Sequence, residues 1–315
     1  MGKTYEVAKT LKENVGKVIV GKDEIIQMLL ASLIAGGHVL LEDAPGTGKT
    51  VMTKAIAKSL SADFSRIQFT PDLLPSDITG MNIFRQKEGE FQFIKGPVFA
   101  NIILADEINR ATPRTQSSLL ECMEEKQVTV DGVTYALEEP FLVIATQNPI
   151  ETAGTFPLPE AQLDRFMMKL SVGFPDKEEE IHMISRFMIE NPMDSLEPVC
   201  TKADLMEMRK ECQEVFLHPS LKEYIVNLVQ ATRNHPSVAL GVSPRGTLAF
   251  VKVLKVYAAM NNRNYVIPED VKKLAKPVMA HRMITYSSVA SNKTEDSILD
   301  GILSGTAVPT ENWSE

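Results

Sequence analysis

The chain has 315 residues, enough for two domains at roughly 100–200 residues each and for a sizeable core, which excludes a chain dominated by disorder. A formal net charge of -8 argues against a broad basic surface that captures nucleic-acid phosphates without regard to sequence. Cys122, Cys200 and Cys212 are an odd set with no metal-ligand spacing, and the five histidines form no HExxH pattern, so any metal chemistry must use oxygen ligands and a reducing cytoplasm fits best.

Residues 1–10 carry Lys3, Glu6 and Lys9 with no apolar core, unlike a secretory signal, and no run approaches the ~20 apolar residues that span a bilayer. Over Asp23–Ala35, Ile25, Ile26, Leu29, Leu30, Leu33 and Ile34 fall at helical spacing, and the Gly36-Gly37 pair stops the helix. A short apolar strand at 38–41, a Pro/Gly-rich turn and a helix-like segment at 49–60 follow. Strand, glycine loop and helix in that order open a parallel sheet. The segments 66–69, 102–105 and 141–145 read as further strands buried on both faces. The expected fold class is α/β, with a doubly wound parallel-sheet domain over residues 1–173.

Two hairpins are expected on that domain. Residues 128–137 alternate around Asp131-Gly132, a turn in which both positions need positive φ. Residues 80–96 carry Phe84, Phe91 and Phe93 around a turn at 87–90. After Phe174-Pro175, Asp176 can cap a helix whose first turn holds Glu178, Glu179 and Glu180, favourable at the positive end of the helix dipole. Helical composition then runs to about residue 285, broken at Pro192, Pro198, Pro219, Pro236, Pro244 and Pro268, which defines a small helical domain over 174–286. Residues 287–315 read as a polar, mobile C-terminal tail.

The chemistry lies in three stretches. Asp43-Ala44-Pro45-Gly46-Thr47-Gly48-Lys49-Thr50, followed by Val51, is a phosphate-binding loop: glycines let backbone N–H groups wrap phosphates, Lys49 reaches the β- and γ-phosphates, and the Thr50 hydroxyl can ligate Mg²⁺. The strict pattern wants glycine where Asp43 stands. Ile102-Ile103-Leu104-Ala105-Asp106-Glu107 is an apolar strand ending in two acids. Asp106 is placed to hold Mg²⁺ and Glu107 to polarise an attacking water, so the predicted ligand is ATP with Mg²⁺. The strand at 141–146 ends at Gln147-Asn148-Pro149, where Asn148 can orient the water at the carboxyl edge of the sheet.

Together with Leu104-Ala105-Asp106-Glu107-Ile108-Asn109-Arg110, Ala145-Thr146-Gln147-Asn148-Pro149, the run from Pro157 to Phe166 and Gly241-Val242-Ser243-Pro244-Arg245, the sequence resembles the MoxR-family AAA+ ATPases over nearly its whole length. The resemblance implies a P-loop AAA+ domain with hairpins inserted in helix 2 and before sensor 1, an all-α lid, and assembly into a hexameric ring. It also implies that Arg165 is the arginine finger reaching the neighbour's ATP, that Arg245 is the sensor-2 arginine, and that Val20 and Gly21 lie near the adenine. Arg110 and Arg114 remain rival fingers, and whether Arg245 acts in cis or in trans stays open. The family suggests a chaperone or maturation ATPase with protein clients and with partners carrying von Willebrand factor A domains. The alternative, a nucleotide-gated nucleic-acid scaffold or helicase-like ring, would want basic hairpin tips, whereas the tip reads Gln86-Lys87-Glu88-Gly89-Glu90.

Overall fold

In a computed structural model the chain is described over residues 2–149, 154–188, 191–286, 294–310 and 313. It opens with a helix, α1 (Lys3–Gly16), that buries Ala8, Leu11 and Val15, and continues into the predicted α2 (Asp23–Ala35), which stops at Gly36 with φ 68°. Strand β1 (His38–Glu42), helix α3 (Lys49–Ser59) and strand β2 (Phe64–Gln68) follow, and β2 begins two residues before its expected start. A short helix, α4 (Pro75–Thr79), leads into the hairpin β3 (Gly80–Arg85) and β4 (Glu90–Lys95). Then come β5 (Ile102–Asp106), α5 (Pro113–Glu125), the hairpin β6 (Gln127–Val130) and β7 (Val133–Ala136), and β8 (Leu142–Gln147). A turn of helix, α6 (Glu160–Leu163), precedes β9 (Phe166–Leu170). The helical part comprises α7 (Lys177–Phe187), α8 (Lys202–Gln213), α9 (Pro219–Asn234), α10 (Pro244–Met260), α11 (Pro268–Met279) and α12 (Glu295–Gly305), with β10 (Val238–Leu240) and β11 (Ile284–Thr285) pairing antiparallel.

Five strands form one all-parallel sheet in the order β2-β5-β8-β1-β9. The central strands are apolar along their middles because both faces are covered there. Val39, Leu41, Ile102, Leu104, Leu142 and Ile144 join one core cluster, and the alternate residues Leu40, Ile103, Ala105, Val143 and Ala145 join the other. The first cluster runs on without a break from Leu11 and Ile34 to Phe250 and Leu254, so the helical part shares its core with α1 and α2. Pro219, Pro244 and Pro268 each stand in the first turn of a helix, where a missing N–H costs nothing, so these prolines start helices. Asp176 caps α7 as its position predicts, accepting from the backbone N–H groups of Glu178 and Glu179.

One expectation is corrected. The segment 287–315, read as a polar tail, contains α12, whose Ile298, Leu299 and Ile302 are buried against the helical core, with Thr294 as its N-cap. Residues 287–293, 311, 312, 314 and 315 of that segment lie outside the described residues. Among the described residues no helix is long and apolar enough to cross a membrane.

Two buried histidines lock the sheet to its neighbours. His38 accepts from the Val143 N–H through Nδ1 at 3.0 Å and lies 3.0 Å from the Met123 carbonyl through Nε2, an arrangement that suits the neutral ring. Burial pushes His38 down to about 4, and His281, 3.0 Å from the Phe166 carbonyl, is held well below its ordinary value, by burial first and then by Arg282 beside it. The unfolded chain protonates both rings below about pH 6.5, whereas the folded chain resists, so stability is lost as pH falls from about 6.5 toward 4 and is unaffected by these groups above that window. Urea unfolding between about pH 7 and 4.5 should show a falling free energy for the native chain and a shallower slope for His38→Gln. Equal slopes would contradict the neutral assignment of His38.

Candidate functional site

Strand β1 runs directly into the glycine loop, and α3 begins at Lys49, so the loop closes over the carboxyl edge of the sheet. Gly46 and Gly48 hold φ of 84° and 83°, with open space where a Cβ would point. Backbone conformation, not crowding, requires glycine at these two positions. Asp43 needs no such freedom. Its carboxylate accepts from Ser171 Oγ at 2.7 Å, Val172 N at 2.6 Å and Gly173 N at 3.0 Å, and so staples the start of the loop to the exit of β9. The departure from the strict pattern therefore has a structural cause. Only the backbone of this part of the loop meets Lys49, whose Nζ donates to the carbonyls of Asp43 at 3.2 Å and Ala44 at 3.0 Å.

A cavity of about 600 Å³ lies over the loop, lined by Asp43, Pro45, Gly46, Thr47, Gly48, Lys49, Thr50 and Val51 on one side and by the strand ends on the other. The strand ends contribute the predicted Asp106, Glu107 and Asn148, together with Arg66, Gln68, Thr146 and Gln147. Val20 and Gly21 border a separate cavity of about 750 Å³ between α1, α2 and α7, which shares no lining residue with the first.

The acids are held from several sides. Asp106 accepts from Thr146 Oγ1 at 2.7 Å through Oδ1 and from Arg66 Nη2 at 2.6 Å through Oδ2. Thr146 Oγ1 also accepts the Glu107 N–H at 2.9 Å, which helps fix that residue in its left-handed conformation at φ 56°. The Glu107 carboxylate accepts from Gln68 Nε2 at 2.8 Å and lies 3.0 Å from Arg110 Nε. Arg66 Nη2 donates to Gln68 Oε1 at 2.9 Å, so one line of contacts joins Asp106, Arg66, Gln68, Glu107 and Arg110.

Arg165 and Arg245 line no part of the loop cavity. They meet elsewhere, on α5: Arg165 Nη1 is 3.0 Å from Glu124 Oε2 and donates to the Leu120 carbonyl at 2.8 Å, while Arg245 Nη1 donates to Glu124 Oε1 at 2.9 Å. Arg165 pairs with neither of the acids near it in sequence, Asp164 and Glu160. Asp164 is instead taken by Arg282 Nε at 2.8 Å and Ser243 Oγ at 2.8 Å, which ties the β9 approach to the start of α10. Arg110 pairs with Glu107 of its own chain, and Arg114 is exposed in the first turn of α5.

The sequence reading misses Arg66, Gln68 and Glu124. For the first two a signal exists: polar residues at i and i+2 on a strand that runs parallel beside the acidic one share a face, and Gln68 is in register with Asp106.

Comparison with known proteins agrees with this architecture. The profile of the ATPase family associated with various cellular activities (AAA) matches residues 38–168, and that of the AAA lid domain matches residues 230–302. A solved structure from Cytophaga hutchinsonii superposes with a TM-score of 0.91 at 43% identity, covering 98% of this chain and 97% of that one. YeaC of Bacillus subtilis is 52% identical over 95% of this chain and 94% of its own length. Chaperone MoxR1 of Mycobacterium tuberculosis is 41% identical over 95% of this chain and 81% of its own length. The chain belongs to the MoxR family of AAA+ ATPases. Protein MoxR of Paracoccus denitrificans, at 32% identity over 84% of this chain, extends the family relationship. In this MoxR-family chain the AAA lid match takes in the end of α9, then α10 and α11, and reaches into α12, in keeping with the packing of that helix.

The staple at Asp43 gives a counterintuitive expectation. Asp43→Gly restores the strict loop pattern yet strips a carboxylate from one buried and one half-buried N–H group and a hydroxyl, at a cost on the order of 3 kcal/mol. Urea denaturation should show a lower midpoint for Asp43→Gly than for the native chain. An unchanged or higher midpoint would mean that the staple contributes nothing.

Proposed function

We propose that the chain hydrolyses ATP as a ring, hexameric by analogy with the AAA+ ATPases it resembles, in which each active site is completed by arginines of the neighbouring subunit, and that the cycle remodels protein clients. The observation that carries this reading is the division of the chemistry: the phosphate loop, Asp106, Glu107 and Asn148 share one cavity, while Arg165 and Arg245 converge on Glu124 and line none of it. A single subunit thus has phosphate binding and water activation, while the arginine that lines its cavity, Arg66, is engaged by Asp106 and Gln68 and leaves the charge that develops on the transferred phosphoryl group to a neighbour's arginines.

In this reading Lys49 and the loop N–H groups bind the phosphates, and the N-terminus of α3 adds its dipole. Thr50 and Asp106 would hold Mg²⁺, which when bound neutralises phosphate charge; one hydroxyl and one carboxylate, completed by phosphate oxygens and water, is a donor set that this ion takes. That a guanidinium, Arg66, already pairs with Asp106 supports a cation-seeking position there. Glu107 takes the proton of the attacking water and Asn148 orients it. Arg66, Gln68 and Arg110 hold the two acids in place before nucleotide arrives.

Two surfaces support assembly and protein clients. Helix α7 has no buried residue and, with Met188 that caps its end, exposes Ile181, Ile184 and Phe187, an apolar face suited to a subunit interface. The β3–β4 hairpin exposes Met81, Ile83, Phe84, Phe91 and Ile94, and is braced on the β6–β7 hairpin by Phe93 stacked on Tyr135. An apolar hairpin suits a protein client better than nucleic acid. The chaperone name of the MoxR1 relative points the same way, and the family resemblance extends the proposal to partners carrying von Willebrand factor A domains.

Three substitutions test the chemistry. Lys49→Ala should abolish tight ATP binding by calorimetry, and near-normal affinity would sink the loop assignment. Glu107→Gln should keep ATP while losing roughly 10²–10⁴ in turnover, and a loss below about tenfold would move water activation to another residue. Arg165→Ala should bind ATP and lose about 10³ or more in turnover. Mixed with Lys49→Ala subunits under conditions of demonstrated subunit exchange, it should regain partial activity, because its site then borrows the neighbour's intact arginine. A mixture that stays dead would refute the shared site.

A further inference from the structure

We infer that Glu124 is a positioning residue that sets the spacing of Arg165 and Arg245 and so builds a two-armed anion receptor for the terminal phosphate of the neighbouring subunit's nucleotide. The inference rests on the shared-site reading above and assigns a role to a residue that the reading leaves without one.

The geometry has two levels. Asp164, clamped by Arg282 Nε at 2.8 Å and by Ser243 Oγ at 2.8 Å, joins the backbone just before Arg165 to the backbone just before Arg245. The clamp is robust, since the Arg282 side chain is 2% exposed. It fixes where the two arginine side chains start, but not where their charged ends go. Two guanidinium ions rising from adjacent points repel and, unaided, splay apart. Glu124 prevents this by giving one oxygen to each: Oε2 lies 3.0 Å from Arg165 Nη1 and Oε1 2.9 Å from Arg245 Nη1. The Leu120 carbonyl, one turn earlier on α5, takes a second bond from Arg165 Nη1 at 2.8 Å and fixes the orientation of that arm.

Each guanidinium spends only Nη1 on these contacts, so its other N–H donors remain for a second anion. A phosphoryl group with three terminal oxygens can accept from both arms at once. The carboxylate also offsets part of the repulsion between the two guanidinium ions and so lets both arms stay close.

A purely structural ion pair is the competing explanation. The exposures of Arg165, Arg245 and Glu124, at 28%, 45% and 35%, make these pairs solvent-screened, and such pairs contribute little to stability. Removing the carboxylate should therefore spare the fold and harm the reaction.

The test uses the full chain. Glu124→Gln and Glu124→Ala should keep a thermal midpoint close to that of the native protein, keep the KM for ATP, and lower kcat by roughly ten- to hundredfold, the scale of loss when a catalytic group is displaced by about 1 Å. Because the misplaced arginines serve the neighbour, mixing Glu124→Gln with Lys49→Ala subunits should restore part of the lost turnover, as in the Arg165→Ala mixture run beside it. Native kcat in both Glu124 variants would overturn the inference. So would a Glu124→Gln mixture that stays slow while the Arg165→Ala mixture recovers, because Glu124 would then act within its own subunit. Failure of both mixtures despite proven exchange would remove the shared-site reading itself, and this inference with it.

Discussion

The parallel register of four neighbouring strands is the constraint from which the rest follows. Glu42 stands opposite Gln147, and Gln68 opposite Asp106, so β1, β8, β5 and β2 all end at one edge. Side chains alternate across a strand, so a slip of one residue in β5 would turn every side chain to the opposite face and carry Asp106 away from its partners. Ile102 and Leu104 fill one core cluster and Ile103 and Ala105 the other, so the slip would also put each side chain in a space packed for a different one. Hydrophobic packing thereby fixes the position of two carboxylates that packing alone would reject.

At that edge, charge is balanced before any nucleotide is present. Arg66 lies against Asp106 and Arg110 against Glu107, with Gln68 between them, so neither acid stands alone. The same rule operates at the other pole of the chain, where Glu124 lies between Arg165 and Arg245. One pole collects acids and the backbone N–H groups of the glycine loop, while the other collects guanidinium ions held by a single carboxylate. Complementary poles on one chain suit head-to-tail association, which closes into a ring when the rotation permits.

Much of the nucleotide pole, and the turn of the β6–β7 hairpin, is legible in the sequence because short-range chemistry writes them. The glycine loop, the strand ending in Asp106-Glu107 and the turn at Asp131-Gly132, observed with φ of 49° and 79°, each rest on local conformational or chemical demands. Helix α1 escapes the reading because its buried face is sparse, only Ala8, Leu11 and Val15 among its apolar positions, and gains its order from packing against α2, α3, α8 and α10. Helix α12 escapes for a similar reason: Ile298, Leu299 and Ile302 sit in a polar neighbourhood and are covered by distant α9 and α11. Asp43 looks like a defect in a motif until its partners at 171–173 come back to it through the sheet. The meeting of residues 124, 165 and 245 is purely tertiary, and nothing local marks Glu124 among the acids of α5.

The most direct measurement is the specific ATPase activity per subunit as a function of protein concentration, with the oligomeric state followed in the same samples by sedimentation velocity. A site completed by a neighbour predicts activity that vanishes as the assembly dissociates on dilution and that tracks the assembled fraction. Full activity per subunit in a population that sediments as monomers would contradict it, because the phosphate pole would then be hydrolysing ATP without the arginines of another chain.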